Sequence, residues 1–141
     1  HDIGKAVLFK TYPGHYSSIF ELAKSERDPA ISAYEIENYG VDHAAIGERL
    51  AKQWGFPPEL VNVIRRHHDP VAVEVPMVHA VMVADLVAKE LKLGYDGDDG
   101  RNDGFARLRT KLQVSAAEYG HLKEFAARER DSIEGFFKSS S

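Results

Sequence analysis

Imidazoles and carboxylates recur along this chain in an order that could hold a divalent ion: His1-Asp2, His43, His67-His68 and Asp85. Neutral imidazole and ionised carboxylate, with no thiolate, suit one or two ions of iron, manganese or zinc, or a catalytic magnesium. Such ions lower the pKa of bound water and polarise phosphoryl oxygens. Lys5, one helical turn beyond His1, would add a cation for a phosphate. Each residue has a plainer role beside this one. His43 shares a helical stripe with Ile46, Leu50 and Trp54, with Gly47 and Ala51 allowing close neighbours, and a lone inward histidine there is more often a hydrogen-bonded core residue. His67 and His68 close a helix, where partial positive charge suits the dipole. Lys5 alone would be a solvated surface lysine. Asp85 is the sharpest exception, because its helical neighbours Val78, Val81, Met82 and Ala88 form an apolar face. A lone buried carboxylate is costly, so Asp85 needs a metal, a cation or several donors; capping a helix start or pairing with an arginine would also serve. The combination tips the balance: several helical stretches carry inward histidines and another carries an inward acid.

Helices must position these groups, since sustained apolar/polar alternation of the strand type is nearly absent. Ile3, Val7 and Leu8 mark a first helix ending at Tyr12-Pro13-Gly14, and a second is expected over 15–24. Asp28-Pro29 interrupts, and a third helix carries Ile31, Tyr34 and Ile36 towards Tyr39-Gly40. Asp42 is a good N-cap for a helix over 43–54, stopped by Gly55. Pro57-Pro58 starts the next helix, which runs to His67-His68 and closes at Asp69-Pro70. A long apolar helix spans 76–91. The Gly- and Asp-rich stretch 94–104 reads as a loop without the regular acid alternation of an EF-hand. The tail, 105–137, is expected to form one or two amphipathic helices broken near Gly120. The expected fold is all-α.

A chain of 141 residues favours one domain, and 43% hydrophobic with 28% charged content excludes a disordered chain. The net charge of −4 argues against a nucleic-acid surface. With no cysteine, disulfides, thiolate catalysis and thiolate zinc sites are excluded. No apolar run approaches the ~20 residues of a membrane span. His1 is preceded by no signal peptide and is not the usual Met, so we expect a cytoplasmic piece of a longer protein.

His1-Asp2-Ile3-Gly4-Lys5 resembles the HD signature of the HD superfamily of metal-dependent phosphohydrolases. Glu37, then Tyr39-Gly40-Val41-Asp42-His43-Ala44-Ala45-Ile46-Gly47, Leu50, Trp54-Gly55-Phe56-Pro57 and Ile64-Arg65-Arg66-His67-His68-Asp69-Pro70 closely resemble its HDOD branch. The resemblance covers roughly residues 1–92 and implies an HD-like helical bundle around a metal site, with 93–141 a loop and helical extension packed on the same domain. It implies that His1, Asp2 and Asp85 are metal ligands, that His43, His67 and His68 are the extra histidines of two-metal members, and that Lys5 lies near substrate phosphate. The superfamily's first metal-binding histidine lies upstream of the doublet, where this chain begins. The Gly-Tyr-Pro element of HD-GYP phosphodiesterases is replaced by 71–75, which argues against that activity.

The resemblance implies an HDOD-type regulatory domain of a bacterial signal-transduction protein. Its partners would be other signalling domains or proteins, with a nucleotide or phosphate ester as a further ligand. The alternative is an active metal-dependent phosphohydrolase, and a third is a helical interaction module with fossil histidines. The isolated segment is expected to show little phosphohydrolase turnover.

Overall fold

The computed structural model of the protein describes residues 1–25, 30–93 and 109–139, and among these residues the regular structure is helical, with no strand. In chain order the helices are α1 (Ile3–Thr11), α2 (Pro13–Ser25), α3 (Ile31–Tyr39), α4 (His43–Gln53), α5 (Pro58–Arg66), a 3-10 segment (Pro70–Glu74), α6 (Pro76–Glu90) and α7 (Ala116–Ser139). The fold is all-α, as expected. The expected breaks at Asp28-Pro29 and the loop at 94–104 lie outside the described residues.

Helix α4 is the centre of the site half, because its sequence lets two neighbours come close. Asp42 caps it by accepting from the Ala45 amide at 2.8 Å. Its buried face is His43, Ala44, Gly47 and Ala51. The small residues there admit α1 on one side and α5 on the other. A Cβ on Gly47 would stand 2.7 Å from Ile64 Cγ2 and 3.2 Å from Ile3 Cγ2. This corrects the expected stripe: His43 is inward, but Trp54, at the C-cap, is 57% exposed beside Phe56. Ile46 and Leu50 are half-buried at the flanks. The closeness of α1 and α5 to α4 at Gly47 leaves no room there for a larger side chain.

Leu8, Tyr16, Ile19, Ala23, Ile31 and Tyr34 pack α1, α2 and α3 into one apolar cluster. Ala51, Val61 and Ile64 join α4 to α5, and Val63, Ala72 and Val78 join α5 and the 3-10 segment to α6. The 3-10 segment stands where the Gly-Tyr-Pro element would be, and Asp69 caps it by accepting from the Val71 amide at 2.9 Å.

Helix α7 corrects the expected break, since it runs unbroken through Gly120. It opens on a capping box: Ser115 Oγ accepts from the Glu118 amide at 3.2 Å and Glu118 Oε2 accepts from the Ser115 amide at 3.1 Å. Tyr119 donates to Glu90 at 2.7 Å, Lys123 pairs with the same carboxylate, and Arg130 donates to the Leu91 carbonyl at 2.6 Å. These contacts hold α7 against the end of α6.

Candidate metal centre

The first turn of α1, the first residue of α4 and the end of α5 meet at one point. Gly4 makes the meeting possible: a Cβ there would stand 1.9 Å from the His43 carbonyl oxygen. With no side chain at this crossing, α1 lies directly on α4 and brings Asp2 to His43. Asp2 Oδ1 lies 3.4 Å from His43 Nε2 and 3.3 Å from His67 Nε2. His43 Nε2 is in turn 3.4 Å from His67 Nε2 and 3.0 Å from His68 Nε2. One ligand atom from each of Asp2, His43, His67 and His68 can be chosen so that all lie within 4.8 Å of one another.

The hydrogen bonds on the far sides of the rings decide what these atoms can do. His43 Nδ1 is 2.6 Å from Glu35 Oε2, which also accepts from the His43 amide at 2.8 Å. An ionised carboxylate only accepts, so the His43 proton belongs on Nδ1 and Nε2 is a bare acceptor. His67 Nδ1 is 2.9 Å from the Ile64 carbonyl, which likewise only accepts, so His67 Nε2 is bare as well. Asp2 Oδ1 is buried and receives no hydrogen bond. Asp2 Oδ1 and the bare Nε2 atoms of His43 and His67 are therefore acceptors facing one another, an arrangement that a bound cation would satisfy.

Charge around the cluster points the same way. Burial would raise the Asp2 carboxyl, but the contact with His67 and the Lys5 ammonium 2.9 Å from Oδ2 outweigh it. Together they hold Asp2 well below the usual carboxylate range. Desolvation first, then the neighbouring His67 and His43 and the ammonium groups of Lys89 and Lys5, keeps His68 well below the usual imidazole range, although part of the residue reaches solvent. His68 is thus neutral near pH 7 and able to act as a ligand.

The HDOD domain family matches residues 1–70 of this chain. Residues 1–70 belong to the HDOD domain family. An uncharacterized protein of Treponema pallidum (strain Nichols) is 31% identical over 94 residues, which is 64% of this chain and 18% of that protein. A crystal structure from Shewanella amazonensis SB2B, described as "Putative phosphohydrolase", superposes with a TM-score of 0.66 at 25% identity, over 92% of this chain and 47% of that one. The chain thus spans less than half the length of either relative. Among the described residues no helix is long and apolar enough to cross a membrane.

Within the HDOD domain and the helix that follows, the residues picked out from the sequence do not all occupy equivalent places. Asp2, His43, His67 and His68 form the cluster itself. His1 Nε2 lies beside it, 3.7 Å from Asp2 Oδ2 and 3.8 Å from Asp85 Oδ1, with its ring 4.7 Å from that of His67. Asp85 approaches the same imidazole from α6 but is bound to Lys89 at 2.8 Å. The cation that steadies this half-buried acid is a lysine one turn along its own helix, where an arginine partner was the plain alternative. Lys5 is only 6% exposed, with its ammonium on Asp2.

Two residues of the centre escaped the sequence. Glu35 and Tyr16 are wholly buried, and Tyr16 donates to Glu35 Oε1 at 2.5 Å. A usable signal was present: Ile31, Tyr34 and Glu35 share one helical face at i, i+3 and i+4, so Glu35 breaks an apolar stripe as Asp85 does.

Proposed function

We propose that this chain is the metal-binding part of an HDOD-type regulatory domain in a bacterial, cytoplasmic signal-transduction protein. Asp2, His43, His67 and His68 would hold a divalent ion, with His1 and Asp85 beside it for a second. The observation that carries the metal is Asp2 Oδ1, a buried acceptor that receives no hydrogen bond and faces the Nε2 atoms of His43 and His67 at 3.4 and 3.3 Å. The donor set of imidazole and carboxylate suits iron, manganese or zinc better than a cation that prefers oxygen alone.

Regulation is favoured over turnover by the state of the two nearby ammonium groups. Lys5 is buried on Asp2 at 2.9 Å and Lys89 is bound to Asp85 at 2.8 Å. Both already balance ligand-region carboxylates, so a phosphate ester would have to compete with those carboxylates for them. Partners would be other signalling domains or proteins, with a nucleotide or phosphate ester as a ligand sensed at the metal.

A second function, phosphoester hydrolysis, is supported by the gathering of His1, Asp2, His43, His67, His68 and Asp85 in one region and by the description of the Shewanella relative. A bound divalent ion would supply a more acidic water and polarise phosphoryl oxygens. The chain's own part would be to hold that ion through Asp2 and the buried histidines, and to leave His68, the exposed member, on the side open to substrate. Lys5 would then balance phosphate charge.

The deciding experiment is elemental analysis of the purified chain, followed by assays against an aryl phosphodiester and a nucleotide panel with added Mn²⁺ or Mg²⁺. The regulatory function predicts bound transition metal and no turnover above the Asp85→Ala variant. Metal-dependent turnover that vanishes in Asp85→Ala would put hydrolysis first.

A further inference from the structure

Behind the cluster lies a buried polar chain that crosses three helices. Tyr16 on α2 donates to Glu35 Oε1 at 2.5 Å, and Glu35 on α3 takes the His43 ring at 2.6 Å and the His43 amide at 2.8 Å on Oε2. All three side chains are completely buried. Tyr16 is clamped by aromatic neighbours, edge-on to Phe9 at 4.6 Å and tilted against Tyr39 at 6.4 Å. Burial first, then the Glu35 carboxylate, push its phenol well above the ordinary tyrosine range, so its proton stays in place.

A carboxylate in such a setting is expensive unless its oxygens are all used. Capping alone does not call for it, because a neutral acceptor would serve the first amide of α4 equally well. What a charged acceptor adds is electron density on the ring it holds: a carboxylate on Nδ1–H makes the opposite nitrogen a stronger ligand and fixes both tautomer and tilt.

We propose that Glu35, itself held by Tyr16, is a positioning residue that fixes His43 with a bare Nε2 and sets the ion affinity of the cluster. This rests on the metal-binding function proposed above. Because the chain runs from α2 through α3 to α4, a displacement of α2 would be felt at the ion without any contact to it.

The test uses Glu35→Gln and Tyr16→Phe in the full chain. The orientation of the new amide is dictated by the His43 backbone N–H, which can only donate. The amide oxygen must therefore sit at the Oε2 place, keeping the cap and the His43 tautomer while losing the charge. Helical content by circular dichroism should be unchanged in both variants. Nitrogen-15 spectra of the ion-free wild type should show the His43 proton on Nδ1. Mn²⁺ binding should weaken about 10- to 100-fold in Glu35→Gln and less in Tyr16→Phe. A residue that only caps α4 would leave Mn²⁺ affinity untouched, so Glu35→Gln binding within twofold of wild type overturns the proposal. A His43 proton on Nε2 in the wild type overturns it as well. If the wild type binds no Mn²⁺, the metal-binding function fails; the tautomer, read without any ion, then decides the positioning claim separately.

Discussion

Gly4 and His43 meet with no side chain between them: a Cβ on Gly4 would lie 1.9 Å from the His43 carbonyl oxygen and 3.0 Å from its Cα. The neighbour is backbone at the start of a capped helix, so it has little freedom to yield. This crossing brings the residue pair ahead of α1 to the ring at the head of α4.

Gly4→Ala should therefore separate α1 from α4. The expected cost is about 1–3 kcal/mol, the usual range for overpacking, read as a fall in thermal midpoint, together with a loss of divalent-ion binding because Asp2 moves. Gly120→Ala is the opposite case. Nothing lies within 4 Å of a Cβ there and the residue is inside α7, so the substitution should stabilise by about 0.5–1 kcal/mol. Equal midpoints for Gly4→Ala and wild type would show that the helices do not meet as described.

Ion binding should raise the thermal midpoint. A ligand that binds only the folded state adds about 2.7 kcal/mol at a free concentration of 100 times Kd. Mn²⁺ or Zn²⁺ should shift the wild-type midpoint upward, and a chelator should reverse the shift. His67→Ala, which removes a buried ring with its Nε2 on the cluster, should shift much less. A shift of the same size in His67→Ala would assign the binding to another place.

The clamp between α6 and α7 should weaken in acid. Burial would raise the Glu90 carboxyl, but hydrogen bonds from Lys123 and Tyr119 and the charges of Lys123 and Arg109 hold it below its ordinary value of 4.5. A carboxyl depressed in the folded state stabilises fully above its unfolded pKa and loses that contribution as pH falls through the folded one. Wild type should thus exceed Glu90→Gln in thermal midpoint near neutrality, with the gap closing below about pH 4. A gap that is constant from pH 7 to 3 would contradict the role given to this carboxylate.

Trp54, the single tryptophan of the chain, is 57% exposed. Its emission should be that of a largely hydrated indole and move little on unfolding. Trp54→Ser should leave the thermal midpoint nearly unchanged, within the ±0.5 kcal/mol usual for surface positions. A strongly blue-shifted native emission would place the ring in the core that the helical stripe implied.

Periodicity made the helices legible because each has an apolar face, a capping residue or a proline at its start, as Asp42 and Pro58 show. On α4 it put His43 inward, with Gly47 and Ala51 allowing close neighbours, and erred in following the stripe through the large residues to Trp54. The true contact face is built from Ala44, Gly47 and Ala51, whose smallness is what lets α1 and α5 approach. Gly120 misled in a related way: glycine lowers helix propensity, but the capping box at Ser115 and the docking of Tyr119 on Glu90 outweigh it. In the candidate site, the imidazoles and carboxylates stood out by type and order. That they gather in one region was implied by the resemblance and by the inward place of Asp85, and the distances agree; the crossing at Gly4 that achieves it was not legible. Glu35 was legible only as a polar break in the face of Ile31 and Tyr34; its partners, Tyr16 and His43, come from other helices and nothing local marks the pairing.

The most direct measurement is a titration of the chelator-treated chain with Mn²⁺ followed calorimetrically, beside the same titration of Asp2→Asn. Asp2 Oδ1 is the buried acceptor with no hydrogen bond, and the amide substitution can present N–H groups to the bare nitrogens of His43 and His67 in place of a cation. Wild type should bind at least one ion per chain in a saturable step that is absent, or at least tenfold weaker, in Asp2→Asn. Binding of equal strength in both, or none in the wild type, would contradict a metal centre built on Asp2, His43, His67 and His68.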